Sequence, residues 1–173
     1  MSDNNSFTSH FVELRSRLIK SLIFIFAIFV ISYTFAEHIY SFLVSPYAEA
    51  VFKKHLDNII DVDSAGIAAL ADHDADATAA SVAVTRGIDL SEHRGKQITR
   101  ALVGKSDLIL VMDEDHLQRL HKRYPESRGK SFKLAKLVGD KNIVDPHLKS
   151  QSFFELVFDE IDAAVAAWIP HFK

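Results

Sequence analysis

Cysteine is absent from all 173 residues, which removes disulfides, thiolate zinc sites, iron–sulfur clusters and every cysteine nucleophile at once. An excess of positive charge is also missing. Lys and Arg number 20 against 23 Asp and Glu, the net charge is -3 and the pI is near 6.3, so the chain carries no electrostatic footprint for nucleic acid. No G-x-S-x-G element and no Gly-rich phosphate loop occurs, which leaves a serine hydrolase or a nucleotide enzyme without support. The nine histidines include no H-E-x-x-H pair, and His116 and His121 do not share a helical face, so no metal site is expected. Asp72, Asp74 and Asp76 lack the later Gly and Glu of a calcium loop and read as a solvated loop with a helix cap. There are no internal repeats and no low-complexity linker. At 48% hydrophobic and 25% charged residues the chain is neither disordered nor fibrous, and its length allows one domain or a membrane segment plus a small domain.

The apolar residues are unevenly spread. Residues 22–31 read LIFIFAIFVI without a polar interruption, inside a greasy stretch running over 18–36. At about 1.5 Å rise per residue this approaches the roughly 30 Å hydrocarbon core of a bilayer, and the expectation is one transmembrane helix. A buried core helix is the alternative, against which stands the aromatic and β-branched character on every face. A cleaved signal peptide fits less well, because Glu37, His38, Ile39 and Tyr40 follow the run in place of small residues. Arg15, Arg17 and Lys20 precede it, which places the N-terminus in the cytoplasm of a single-pass membrane protein.

From about Phe52 the pattern becomes α/β, with short apolar runs alternating with amphipathic stretches. Residues 59–62 read as a strand. Asp76 caps a helix through Arg86 with Gly87 as its stop. LILVM at 108–112 has the continuous apolarity of a strand buried on both faces, and Asp113 then caps a helix to about Arg123. A further strand is expected over 132–138. A final helix opens on a Ser152/Glu155 capping box, with Phe153, Leu156, Val157, Ile161, Ala164, Val165 and Trp168 at helical spacing.

Two resemblances meet in this chain. His10, Glu13, Leu14, Arg15, Arg17 and Leu18 spell H-x-x-E-L-R-x-R-L, and with the apolar helix and the stretch 36–43 this resembles the N-terminus of TatC, the membrane subunit of twin-arginine translocation. The resemblance implies that Glu13, Arg15 and Arg17 receive an arginine-bearing signal peptide through charge-assisted contacts. The same cations also serve as topology signals alone. Only the first of that family's membrane helices is present.

The remainder resembles the low-molecular-weight protein tyrosine phosphatases. The matching stretches are SPYAE at 45–49, VDSAG at 62–66, GIDL at 87–90 with HRGKQI at 93–98, DLILVMD at 107–113 and VDPH at 144–147. This implies a small flavodoxin-like parallel sheet with flanking helices, in which a loop C-x-x-x-x-x-R-S follows the first strand and hydrolyses phosphotyrosine through a cysteinyl-phosphate. That chemistry needs a thiolate, an arginine with backbone N–H groups around the phosphate, and an acid for the leaving phenolate. Only the closing Ser45-Pro46 of the loop is present. By resemblance Asp145 is the general acid, Ser64 and His93 support the loop, and His147 stands where an aromatic residue flanks the substrate. Read on their own residues, Asp145 could equally cap a turn before Pro146, and His93 could be an ordinary helix-start histidine.

The expected division is therefore 1–44, TatC-like, and 45–173, phosphatase-like with its first and central strand replaced. The stretch SPYAEAV at 45–51 suits both families, which points to a fusion. Expected partners are phosphotyrosine proteins, the lipid bilayer and translocase components, with no cofactor. One span with an inner N-terminus puts the second domain outside the cytoplasm, whereas the phosphatase-like part standing alone would be cytoplasmic. Loss of a central strand predicts a loosened, aggregation-prone domain, since each unmade buried hydrogen bond costs about 1 to 3 kcal/mol.

Overall fold

The structure is a computed structural model that describes residues 17, 19–26, 44–56, 59–67, 71–147 and 149–172. The chain divides into two compact units, Met1–Glu37 and His38–Lys173. In the first, residues 19–26 are helical, and Ile19, Leu22, Ile23, Phe24, Ile25 and Phe26 are all exposed. No helix among the described residues is long and apolar enough to cross a membrane. Residues 27–36 of the expected span lie outside the described residues, as do Glu13 and Arg15 of the signal-peptide motif.

The second unit opens with α1, Ser45–Leu56. Pro46 occupies its first turn, where a missing N–H costs nothing, and Lys53, Lys54 and His55 meet the negative end of its dipole. Tyr47, Ala48, Val51, Phe52 and Leu56 form its buried face. Helix α2, Ala77–Thr85, begins as the sequence predicts: the Asp76 carboxylate accepts the N–H groups of Thr78 and Ala79 at 2.9 and 3.0 Å. Gly87, with φ 70°, stops it in the left-handed region that costs other residues more. Helix α3, Arg100–Lys105, is capped by Thr99, and the Lys130 ammonium donates to the Val103 and Ser106 carbonyls at its end.

Strand β1, Ile109–Val111, passes through the Asp113 cap into α4, Glu114–Arg123, and returns as the parallel strand β2, Ser131–Lys133. Ile109 pairs with Ser131 and Val111 with Lys133. A βαβ crossover of this kind needs its helix packed on one face of the sheet. Ile109 and Val111 pack against Ile98, Val103, Leu120 and Tyr124 under α3 and α4. Leu110 packs with the larger cluster that holds the buried faces of α1, α2 and the long helix α5, Gln151–Trp168. Side chains alternate across a strand, so this split places helices on both faces of β1 and accounts for its unbroken apolarity. Tyr47 stacks on Phe158 with ring centroids 3.8 Å apart, joining α1 to α5.

Three expectations are corrected. Residues 59–62 are not a strand: 59–60 turn and 61–65 run without a ladder, followed by an isolated parallel bridge from Gly66 to Gln97. Ile60 and Val62 still pack on the larger core, so their inward spacing was legible, but a strand exists only beside a partner. Among the described residues the sheet has two strands, and β1 pairs with β2 alone. The expected strand over 132–138 ends at Lys133, because Leu134–Leu137 tightens into a 3-10 turn. The capping box at Ser152 does not form: Ser150 takes the cap position with no side-chain cap bond, and its hydroxyl meets that of Ser152 at 2.9 Å.

Ile109 donates its N–H to Lys130 O at 2.8 Å, so by alternation Val111 also faces β2 while the Leu110 N–H faces the edge that no strand among the described residues covers. Native-state hydrogen exchange is expected to be at least about tenfold slower at Val111 than at Leu110. Equal protection of the two amides would show that another strand covers that edge.

Candidate functional site

Ser45 heads α1, and one helical turn later Glu49 holds a side chain that is only 11% exposed. Its carboxylate accepts the Ser64 hydroxyl, lies 3.4 Å from His93 Nδ1 through the same oxygen, and takes the Lys53 ammonium on the other. Thus Ser64 and His93, which the sequence reading singled out, are brought together, and the residue that joins them is one to which that reading gave no role. Glu49 lay in the matched SPYAE stretch, and its spacing from Ser64 and His93 gave no local signal. The loops that carry the two partners are tied together as well. Gly66 N–H donates to Lys96 O and Ile98 N–H to Gly66 O, both at 2.9 Å, while the Lys96 ammonium reaches Asp63 at 2.6 Å. Burial pushes the His93 imidazole below its usual 6.5, and the Glu49 charge opposes that shift.

Asp145 is fixed from β1. Ile143 N–H donates to Met112 O at 2.9 Å, which brings the segment leading to Asp145 alongside the C-terminal end of the strand, where Asp113 caps α4. Open α/β sheets bind their ligands at this end. The Asp145 carboxyl accepts the His147 N–H at 2.9 Å and is pushed above its usual range by burial, with the His147 amide and the nearby histidines pulling the other way. Burial also pushes Asp113 up, but it is outweighed by the His116 ring at 3.0 Å and the His116 N–H at 2.7 Å, and the net shift is downward. The two carboxyls are therefore driven apart, one towards a proton donor and one towards a fixed anion. Asp113 and His116 were legible as a cap and an unassigned histidine, not as neighbours of the acid. Among the described residues no three His, Asp or Glu side chains converge as metal ligands.

Residues 43–173 match the low molecular weight phosphotyrosine protein phosphatase family. The chain belongs to that family. It is 40% identical over 129 residues to the probable low molecular weight protein-tyrosine-phosphatase EpsP of Ralstonia nicotianae, covering 75% of this chain and 88% of that one. It is 38% identical over 124 residues to the low molecular weight protein-tyrosine-phosphatase Etp of Escherichia coli, covering 72% and 83%. Among solved structures, Vibrio vulnificus Wzb in complex with benzylphosphonate superposes with a TM-score of 0.72 at 37% identity, over 77% of this chain and 93% of that one. The small α/β phosphatase fold, a parallel sheet flanked by helices, is thus shared with these phosphatases. Within this phosphatase fold the chain contains no cysteine.

The titration directions carry opposite signs for stability. His93 is depressed in the folded state, so the unfolded chain binds the proton first and stability falls as pH drops below about 6.5 towards the folded value. Asp145 is raised, so its contribution is present below 3.8 and is lost as pH rises through the folded value. An NMR titration is expected to place the His93 midpoint below 6.5, and Glu49→Gln should lower it further. An upward move in that variant would show that Glu49 does not act on His93. Asp145→Asn is expected to raise the melting temperature at neutral pH, and a lower one would contradict the burial of its charge.

Proposed function

We propose that residues 45–173 are a catalytically silent phosphatase domain, a pseudoenzyme that keeps the family's acid and loop supports without its nucleophile. The observation that carries this reading is the absence of cysteine from a chain matching the family over residues 43–173. Asp145 is the retained general acid, Ser45 the end of the phosphate loop, Ser64 and His93 its supports, and His147 the residue flanking a phosphotyrosine protein substrate. The Ser64 hydroxyl donates to Glu49 on α1, which supports its reading as a group that holds its loop in place. Losing a nucleophile that works as a unit with its neighbours costs on the order of a million-fold in turnover. With p-nitrophenyl phosphate, the purified chain and its Asp145→Ala variant are both expected to match the buffer blank. Turnover that Asp145→Ala abolishes would overturn the proposal.

A second reading concerns the TatC-like residues 1–44, and it is favoured by the exposure of every described apolar side chain over 19–26. The five successive residues Leu22, Ile23, Phe24, Ile25 and Phe26, with Ile19, cover all faces of a helix, and that distribution suits lipid or another membrane helix. On this reading the segment is a tether, with Glu13, Arg15 and Arg17 as its contacts for translocase components, and the whole is a fusion product. After alkaline carbonate extraction the chain is expected to stay with the membranes, and a Leu22→Arg/Phe26→Arg variant to be released. Release of the unaltered chain would sink the tether. Cross-linking from position 13 to a twin-arginine signal peptide separates a working translocase contact from a tether without one.

A further inference from the structure

Away from Asp145 and Ser64, a cleft of about 350 Å³ opens between α1, α5 and the Arg86–Ile88 turn that closes α2. This lies within the roughly 300 to 1,000 Å³ of small-molecule sites. Its apolar wall is Val51, Ile88, Val165 and Ile169. Its floor is rigid: the Tyr47 hydroxyl donates to Asp162 at 2.9 Å, and Arg86 pairs with the same carboxylate at 2.9 Å and with Asp159 at 2.8 Å. Burial and the Asp162 bond hold the Tyr47 phenol protonated far above its usual range. Asp162 is the one acid among the lining residues, and both Tyr47 and Arg86 already engage it. Two bases of α1 complete the lining. Lys54 has no carboxylate partner among the described residues, and its ammonium lies over the Gly87 turn. His55 donates Nδ1–H to the Val51 carbonyl at 2.9 Å, which fixes the ring beside Lys54 and makes Nε2 the acceptor of the neutral imidazole.

We propose that this cleft binds a small amphipathic anion, with its apolar body against Val51, Ile88, Val165 and Ile169 and its carboxylate or phosphate group on the Lys54 ammonium. The one cation of the floor, Arg86, is matched by two carboxylates, Asp159 and Asp162, so the floor offers an anion nothing and the ligand's charge is recognised at the mouth and its body by area. The site is separate from the phosphatase reading and does not depend on it.

The test is calorimetric titration of the full-length chain with 4-phenylbutyrate, its uncharged amide 4-phenylbutanamide, and inorganic phosphate. Saturable binding of the carboxylate is expected near the millimolar range, with the amide and phosphate at least about tenfold weaker. Shifted methyl signals of Ile88, Val165 and Ile169 should locate it. Lys54→Met, at an exposed position, is expected to weaken the carboxylate about tenfold and leave the amide unchanged. Ala166→Trp should fill the cleft and abolish both. No saturable binding, equal affinity for carboxylate and amide, or methyl shifts confined to residues 19–26 would each overturn the proposal.

Discussion

The second unit depends on one constraint, that a strand of three residues must serve two cores. Ile109 and Val111 of β1 belong to the cluster under α3 and α4, and Leu110 to the cluster under α1, α2 and α5. A polar substitution at any of the three would place an unpaired group between helices, and burying such a group costs about 1 to 3 kcal/mol on protein mutational scales. The position of the acidic residues follows from the same strand. Asp113 stands two residues beyond Val111, and Met112 holds the segment that delivers Asp145. A shift in β1 would therefore disturb the packing of both faces and the spacing of both carboxyls.

Glu49 is to the loops what β1 is to the helices. It gives Ser64 and His93 an acceptor on a rigid helix, and Lys53 on the same helix balances its charge. Among the described residues no buried side-chain nitrogen or oxygen lacks a hydrogen-bond partner. A domain without cysteine thus still satisfies its buried polar side chains among the described residues.

What the sequence made legible was local. Asp76 and Asp113 cap their helices within three residues, and the five consecutive apolar positions around β1 announce packing on both of its faces, although 108–111 are half-buried and only Met112 is fully buried. What it hid was non-local. Residues 61–65 have strand-like spacing but no pairing neighbour among the described residues, and a ladder cannot be read from one side. Glu49 meets Ser64 across 15 positions, a distance at which no periodicity operates. At the start of α5 two serines compete for one role. Ser150 is already extended at φ -68° and ψ 159°, so the backbone settles the helix cap two residues before the Ser152 that the capping pattern selects.

The lone tryptophan gives this architecture a spectroscopic voice. Trp168 closes α5 with 9% of its surface exposed, donates its indole N–H to the Leu134 carbonyl at 2.7 Å, and lies within 6.4 Å of the Phe132 ring on β2. All intrinsic indole emission therefore originates where the C-terminal helix docks on the sheet. A red shift in that emission reads undocking of α5 alone, without contribution from the apolar residues 19–26.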